Sequence, residues 1–243
     1  MSGLKTVITS FGSFLTGKNI ELRISVAYNN APVVVVGTHG GLIGPDGATQ
    51  AGTQDIAVMR SMPRFSVFQP ASPIEVRRVL DYCIESKEPS YIRISRNEVS
   101  ELHDESFKFE LGKPYVIKEG IDIVIFSSGP IVHNCLAAAQ DLAKDLSIKV
   151  VNLITIKPLN VKEITRAVVG AKLVLVFEDH EIYGGLGGAI LEAIALSKIG
   201  APIYLYGLDG QFVDSDKPAQ LEAVFKLDKE GIRQRIIDNW ANV

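Results

Sequence analysis

Apolar runs rich in valine and isoleucine recur along the chain, and each is followed by a segment with helical spacing. "PVVVVGT" and "FSVFQP" read as the first two strands, and "SYIRISR" as a third. Between the last two lies "SPIEVRRVLDYCIES", a predicted helix with Ser72 at the N-cap, Pro73 at the first helical position and Glu75 three residues after the cap. A second alternating series begins at "DIVIFSSG", a strand, followed by the helix "PIVHNCLAAAQDLAKDL" and the strand "KVVNLITI". It continues with the helix "NVKEITRAVVG", the strand "KLVLVFEDH", the helix "GGLGGAILEAIALSKI" and the strand "PIYLYGLDG", and closes with one or two helices after Lys217. Strands that are apolar throughout, alternating with helices, predict parallel sheets covered on both faces.

The pattern lapses between Asn97 and Pro114, where "NEVSELHDESFKFELGKP" is polar and without a period, as a linker would be. The reading is therefore an α/β protein of two domains, residues 1–105 and 106–243, with mainly parallel sheets flanked by helices. The second half holds a complete set of alternating elements. The first half reads as part of a domain, because its elements begin almost at Met1.

Composition narrows the function without naming it. With 47% hydrophobic and 22% charged residues among 243, the chain is an ordinary globular sequence. A net charge of -3 lacks the basic excess of a nucleic-acid surface, while a few local cations still suffice for a small anionic substrate. Cys83 and Cys135 lie far apart in helical surroundings and read as small buried hydrophobes. The first residues lack the apolar core of a signal peptide, and no run approaches the roughly 18 apolar residues of a membrane span. The sequence thus reads as cytoplasmic.

Candidate chemistry concentrates in "VVVVGTHGGLIGPDGATQAGTQD", Val33 to Asp55. His39 and His180 each follow a strand directly, at the carboxyl edge where open α/β sheets collect ligands. His39 reads as functional because its loop is rich in glycine and holds an exposed acid; His180, His103 and His133 read as structural. "GGLIGPDG" lacks the Gly-Lys-Ser/Thr of a P-loop, and "GGLGG" at Gly184 to Gly188 lacks the remainder of a dinucleotide fingerprint. Its glycines are better explained by close helix–strand packing. No Gly-x-Ser-x-Gly, HExxH or CxxC occurs.

The block "FGSFLTGKNIELRISVAYNNAPVVVVGTHGGLIGPDGATQAGTQDIAVMRSMPRFSVFQPAS", continued by "YIRISRNEV", resembles the pyrimidine-binding domain of transketolases and deoxyxylulose-phosphate synthases. "DIVIFSSGPIVHNCLAAAQDL" and "VFEDHEIYGGLGGAI" resemble their C-terminal domain. The likeness covers essentially the whole chain and is greatest to the C-terminal subunit of transketolases that are split into two polypeptides.

That resemblance implies transfer of a two-carbon ketol unit between phosphorylated sugars, with thiamine diphosphate as cofactor. The diphosphate and its Mg2+ or Ca2+ would be held by an N-terminal partner subunit, in a heterotetramer or larger assembly, while this chain receives the aminopyrimidine ring. Phe11 and Phe14 match the aromatic residues that pack on that ring. His39 and Arg96 match residues at the substrate phosphate, and Asp46 the acid that receives a sugar hydroxyl.

Two departures stand out. Where the family reads "DGPTH" or "DGATH", this chain reads "DGATQ", so Gln50 replaces a histidine and cannot move protons near neutral pH. The family's glutamate that bonds the aminopyrimidine belongs upstream of this point, and none of Glu21, Glu75 or Glu85 falls in its place. The expectation is a chain inactive without its partner, with apolar faces left exposed where strands are missing. The alternatives are a non-catalytic assembly or regulatory homologue of the same fold, favoured by those two departures, and the β component of a 2-oxo acid dehydrogenase, against which "GPDGAT" counts.

Overall fold

The computed structural model describes residues 4–195, 197 and 199–243. It contains two five-stranded sheets. The first has strand order β1-β2-β4-β3-β8, with β1 Thr6–Phe11, β2 Val33–Thr38, β3 Ser66–Phe68, β4 Ser90–Arg93 and β8 Thr155–Lys157. The second has order β10-β9-β6-β7-β5, with β5 Tyr115–Lys118, β6 Ile123–Ser127, β7 Ile148–Asn152, β9 Leu173–Phe177 and β10 Ile203–Tyr206. All pairings are parallel except β3 with β8 and β5 with β7. The helices are α1 Gly12–Gly17, α2 Asp55–Ser61, α3 Pro73–Glu85, α4 Ile131–Asp141, α5 Val161–Val168, α6 Leu186–Ile194, α7 Pro218–Val224 and α8 Lys229–Trp240. A single helical turn at Asn19–Glu21 and a π-helical segment, Leu22–Tyr28, lie between α1 and β2.

The apolar pattern located most of these elements and misjudged a few. "KVVNLITI" reads as one strand but divides at Leu153 and Ile154: β7 stays in the second sheet, and β8 crosses over to pair antiparallel with β3 of the first. Both residues at the crossing are fully buried, so no polar turn marks it. β1, the helical turns before β2 and β5 give no clear period. Ser72 does occupy the N-cap of α3, but its hydroxyl bonds nothing. Instead the carboxylate of Glu101 accepts the Ile74 N–H at 3.0 Å, and that of Glu75 accepts the Ala71 N–H at 2.7 Å.

Segment 98–111 forms no helix or strand, yet it is fixed along α3. His103 bonds buried Glu75 at 2.8 Å, and Arg78 donates to the carbonyls of Glu105 and Phe107. Phe107 and Phe109 pack on the core of the first sheet's outer face, which includes Val34, Phe68, Val79 and Ile92.

The largest core lies between the sheets and draws on both. Val35, Ile56, Met59, Phe65 and Val67 of the first half meet Val151, Leu153, Ile156, Val174, Val176 and Ile190 of the second. At roughly 1.5–3 kcal/mol per buried aliphatic side chain, this shared layer is a dominant stabilising term. A second core under α4 and α8 includes Leu42 and Ile43 from the loop after β2. Cys83 and Cys135 are buried free thiols, whose pKa burial pushes up to about 11 and about 12. β1 is an edge strand on which Val7 is 51% exposed, and Ile20, Ile24 and Tyr28 in the helical turns beyond it are also exposed.

Past β9, Glu178, Asp179 and His180 are all buried. Glu178 accepts the Leu186 and Gly187 N–H groups at 2.7 and 2.9 Å, so its carboxyl caps α6. A Cβ on Gly185 would fall 1.9 Å from that carboxyl, which is the packing reason for the glycine run. Burial raises Glu178 to about 8, against the two N–H bonds that favour its charge. His180 donates from Nδ1 to the Glu181 carbonyl at 2.6 Å and accepts the Ala57 N–H on Nε2 at 3.4 Å, a structural role. Burial, then nearby Arg93, lowers its pKa from 6.5 to about 4.

A histidine held neutral in the fold stabilises it fully above pH 6.5 and loses that contribution as pH falls toward 4. Glu178 acts in the opposite sense over its own window, so the comparison needs a variant. Between pH 7 and pH 5 the native chain should lose about 2 kcal/mol more stability than His180→Gln, measured by urea denaturation. Parallel pH profiles for the two proteins would contradict this assignment.

Candidate active site

The carboxyl ends of β1, β2 and β4 lie side by side, because these strands pair in parallel register with Phe11 opposite Thr38 and Gly37 opposite Arg93. The six residues that the family resemblance assigns to the site all fall at this edge. Phe11 ends β1, Phe14 lies one turn into α1, His39 follows β2, Asp46 and Gln50 lie in the loop beyond it, and Arg96 lies just past β4. The structure brings them together as two clusters and an anchor.

The first cluster is a stack of three rings. Phe11 and Phe14 have centroids 5.4 Å apart and lie 4° from parallel. The His39 ring lies 3.7 Å from Phe11 at 17°. Phe14 is 50% exposed, so one end of the stack is open to a further flat group. His39 has φ 57°, a conformation uncommon for a residue with a side chain, and its Nδ1 lies 3.0 Å from the Thr38 hydroxyl.

The second cluster is an ion pair, with Arg96 Nη1 2.7 Å from Asp46 Oδ2 and the Arg96 side chain 51% exposed. A pair this open contributes little to stability, and its guanidinium stays within reach of an anion. Gln50 is tied through its main chain, its carbonyl accepting the Ser13 hydroxyl at 2.8 Å and its N–H bonding the Gly47 carbonyl at 3.1 Å.

Beneath both lies a buried network that motif reading missed. Arg93 is fully buried and charged: burial opposes its charge, but Asp179 and Asp55 outweigh that and raise its pKa. Its Nε donates to Asp55 at 3.1 Å, Nη1 to Asp179 at 2.6 Å, and Nη2 to the carbonyls of Gly52 and Asp179 at 2.7 and 3.0 Å. Tyr91 donates to Asp55 at 2.6 Å and Gln69 to Asp179 at 2.9 Å. Burial and the adjacent Asp55 raise the Tyr91 phenol well above its ordinary value, so it stays a donor. The available signal was the charge in "YIRIS", since an arginine inside a strand buried on both faces must be paired.

The network also explains the glycines of the loop. A Cβ on Gly40 would lie 2.6 Å from Arg93 Cγ, and one on Gly41 would lie 1.9 Å from Asp179 Oδ2. The backbone of Gly41 is moreover left-handed, at φ +84°. The loop therefore crosses directly over the buried pair rather than cradling an anion with its backbone. No group of three or more His, Cys, Asp or Glu among the described residues could hold a metal ion, and no described helix is long and apolar enough to cross a membrane.

Comparison with known proteins agrees with this architecture. Residues 1–101 match the transketolase pyrimidine-binding domain, and residues 112–232 match the transketolase C-terminal domain. A putative transketolase C-terminal section from Methanocaldococcus jannaschii is 33% identical over 95% of this chain and 73% of its own length. One of the subunits of an apulose-4-phosphate transketolase from Actinobacillus succinogenes is 34% identical over 84% of this chain and 66% of its own. A solved structure described as a split gene transketolase, inactive beta4 tetramer, superposes with a TM-score of 0.86 at 27% identity, covering 96% of this chain and 75% of that one. The chain spans only 38% of a matching 1-deoxy-D-xylulose-5-phosphate synthase from a Polaromonas species. It belongs to the transketolase family, and its matches include subunits of split transketolases.

The loop packing can be tested with two glycines. Gly41→Ala forces a left-handed alanine and drives its Cβ into the buried carboxylate, so it should cost about 3 kcal/mol or more. Gly47→Ala is equally left-handed, at φ +70°, but its Cβ meets only Ser215 at 3.5 Å, so about 1 kcal/mol is expected. Equal losses in denaturant melts would mean that contact with Asp179 is not what constrains the loop.

Proposed function

We propose that this chain is the C-terminal component of a split transketolase, moving a two-carbon ketol unit between phosphorylated sugars together with an N-terminal partner subunit. The observation that carries the reading is the Phe14–Phe11–His39 stack at the carboxyl edge of the sheet, with a guanidinium and a carboxylate paired in the adjoining loop. Members of the family work with thiamine diphosphate and a divalent metal, and the stack fits the aminopyrimidine ring, a flat heteroaromatic that favours parallel aromatic neighbours. Phe11 and Phe14 would hold that ring. The diphosphate and its Mg2+ or Ca2+ would sit on the partner. When bound, the cofactor supplies the electron-sink chemistry of the transfer.

On this reading Arg96 meets the substrate phosphate with its forked donors, exchanging part of its bond to Asp46 for the anion. Asp46 accepts a sugar hydroxyl, and Gln50 offers an amide that donates and accepts without moving a proton. We place the boundary between the two domains after residue 105, within the segment free of helix and strand. The exposed residues of β1 and the turns beyond it fit an assembly of several chains, a heterotetramer or larger, working in the cytoplasm on soluble sugar phosphates.

A second reading is a non-catalytic homologue that uses the same surface for assembly; Gln50 in place of a histidine favours it. Calorimetry separates the two. The isolated chain should bind no thiamine diphosphate and show no ketol transfer, while mixing it with its N-terminal partner should restore cofactor binding. A mixed complex that takes up no cofactor would identify the scaffold, and ketol transfer by the isolated chain would refute the split enzyme.

A further inference from the structure

Two contacts converge on the hydroxyl of Thr38. Its Oγ1 lies 3.2 Å from the carbonyl oxygen of Ser10 and 3.0 Å from Nδ1 of His39. A hydroxyl has one hydrogen to give, and a carbonyl oxygen can only accept. The Ser10 contact is therefore a hydrogen bond only if Thr38 donates to it. That leaves Oγ1 as an acceptor toward His39, so the proton shared in the second contact belongs to Nδ1. The opposite arrangement, with the hydroxyl turned to His39, would leave two lone pairs facing each other at the Ser10 carbonyl.

We infer that Thr38 is a positioning residue that holds His39 in the Nδ1–H tautomer and leaves Nε2 as a bare acceptor for ligand. The devices that fix this chain of bonds are all local. Parallel pairing of Ser10 with Gly37 and of Phe11 with Thr38 sets the carbonyl beneath the hydroxyl. The left-handed backbone of His39 and its stack on Phe11 set the plane of the ring. Among the described residues no protein group hydrogen-bonds Nε2, so that nitrogen is free for a ligand. The partner of Nδ1, here Thr38, decides that this nitrogen carries the proton and so leaves Nε2 bare.

The consequence for the reaction rests on the split-transketolase reading; the tautomer itself does not. In that tautomer the bare Nε2 accepts a hydrogen bond from a hydroxyl, whereas a guanidinium can only donate. The hydroxyl-bearing part of a sugar phosphate therefore belongs against His39 and the phosphate against Arg96, which always donates. This refines the role drawn from family resemblance, which placed both residues at the phosphate.

The tautomer is read directly from long-range 15N–1H correlation spectra of the labelled chain at pH ~8, where imidazoles are neutral. His39→Gln identifies the His39 signals by their loss. The expected spectrum has a pyrrole-type nitrogen at Nδ1 and a pyridine-type nitrogen at Nε2. Thr38→Val, which keeps shape and removes the hydroxyl, should shift the ring toward the Nε2–H form, and Thr38→Ser should retain the native pattern. An Nε2–H ring in the native chain, or no change in Thr38→Val, would overturn the inference. Should Thr38→Val fail to fold, the native spectrum and that of Thr38→Ser still decide it.

In the complex with the N-terminal partner, Thr38→Val should lower kcat about ten-fold with KM changed less, the size of one oriented hydrogen bond lost in the transition state, and Thr38→Ser should restore it. An altered tautomer with unaltered kcat would refute the consequence for the reaction. Absence of ketol transfer in the native complex would refute the proposed function and leave the tautomer to be judged by the spectra.

Discussion

A guanidinium fully removed from water is the constraint around which this molecule is organised. Arg93 carries its charge into the interior at a desolvation cost of several kcal/mol, which excellent geometry alone can offset. The fold supplies that geometry from three places in the sequence: Asp55 at the start of α2, Asp179 just past β9, and the carbonyl of Gly52 in the loop after β2. Tyr91 and Gln69 complete the carboxylates' hydrogen bonds, and Ser128 in turn donates to Gln69 at 2.7 Å. Arg93 and Asp55 belong to the first half and Asp179 to the end of a strand in the second, so the first half alone leaves the Nη1 donor without its acceptor, and the second half alone leaves the Asp179 carboxylate without its guanidinium. The shared apolar layer brings the sheets together, and the network makes one relative arrangement much better than its neighbours.

The site inherits its shape from this arrangement. Gly40 and Gly41 lie directly over Arg93 and Asp179, with no room for a Cβ at either position. Two residues on, Leu42 and Ile43 anchor in the core under α4 and α8. The Gly41 N–H then bonds the Gly52 carbonyl, which Arg93 also holds, and the Gly52 N–H bonds the carbonyl of His39. His39 is thus held in its left-handed conformation by groups that end on the buried arginine, and its ring is set against Phe11. The edge that carries the candidate site gains its precision from a buried charge cluster beneath it.

Much of this was legible in the sequence, and the remainder was not for identifiable reasons. The long β-branched runs such as "VVVV" and "LVLVF" declare buried parallel strands, because few other structures accommodate them. The loop from His39 to Gln50 is legible as chemistry because its order of glycines, histidine and acid is that of a known family. Arg93, Asp55 and Asp179 carry no such order. Arg93 sits in an apolar strand and so calls for a partner, but the two acids lie 38 and 86 residues from it in the chain, and each acid alone reads as a surface charge. The crossing at Leu153 and Ile154 escaped because both sheets are apolar, so a strand that changes sheets leaves no polar mark. The N-cap of α3 misled in its detail: Ser72 has the right residue type, but a carboxylate 27 residues beyond Ile74 serves the helix end instead.

Native-state amide hydrogen exchange on Asp179→Ala tests most directly whether the buried arginine holds the loop. Removing that acceptor should accelerate exchange at the amides of Gly41 and Gly52 about ten-fold or more, while amides between β6 and β7, such as Val150, keep their native protection. A uniform rise across both sheets, or no change at Gly41 and Gly52, would contradict the account.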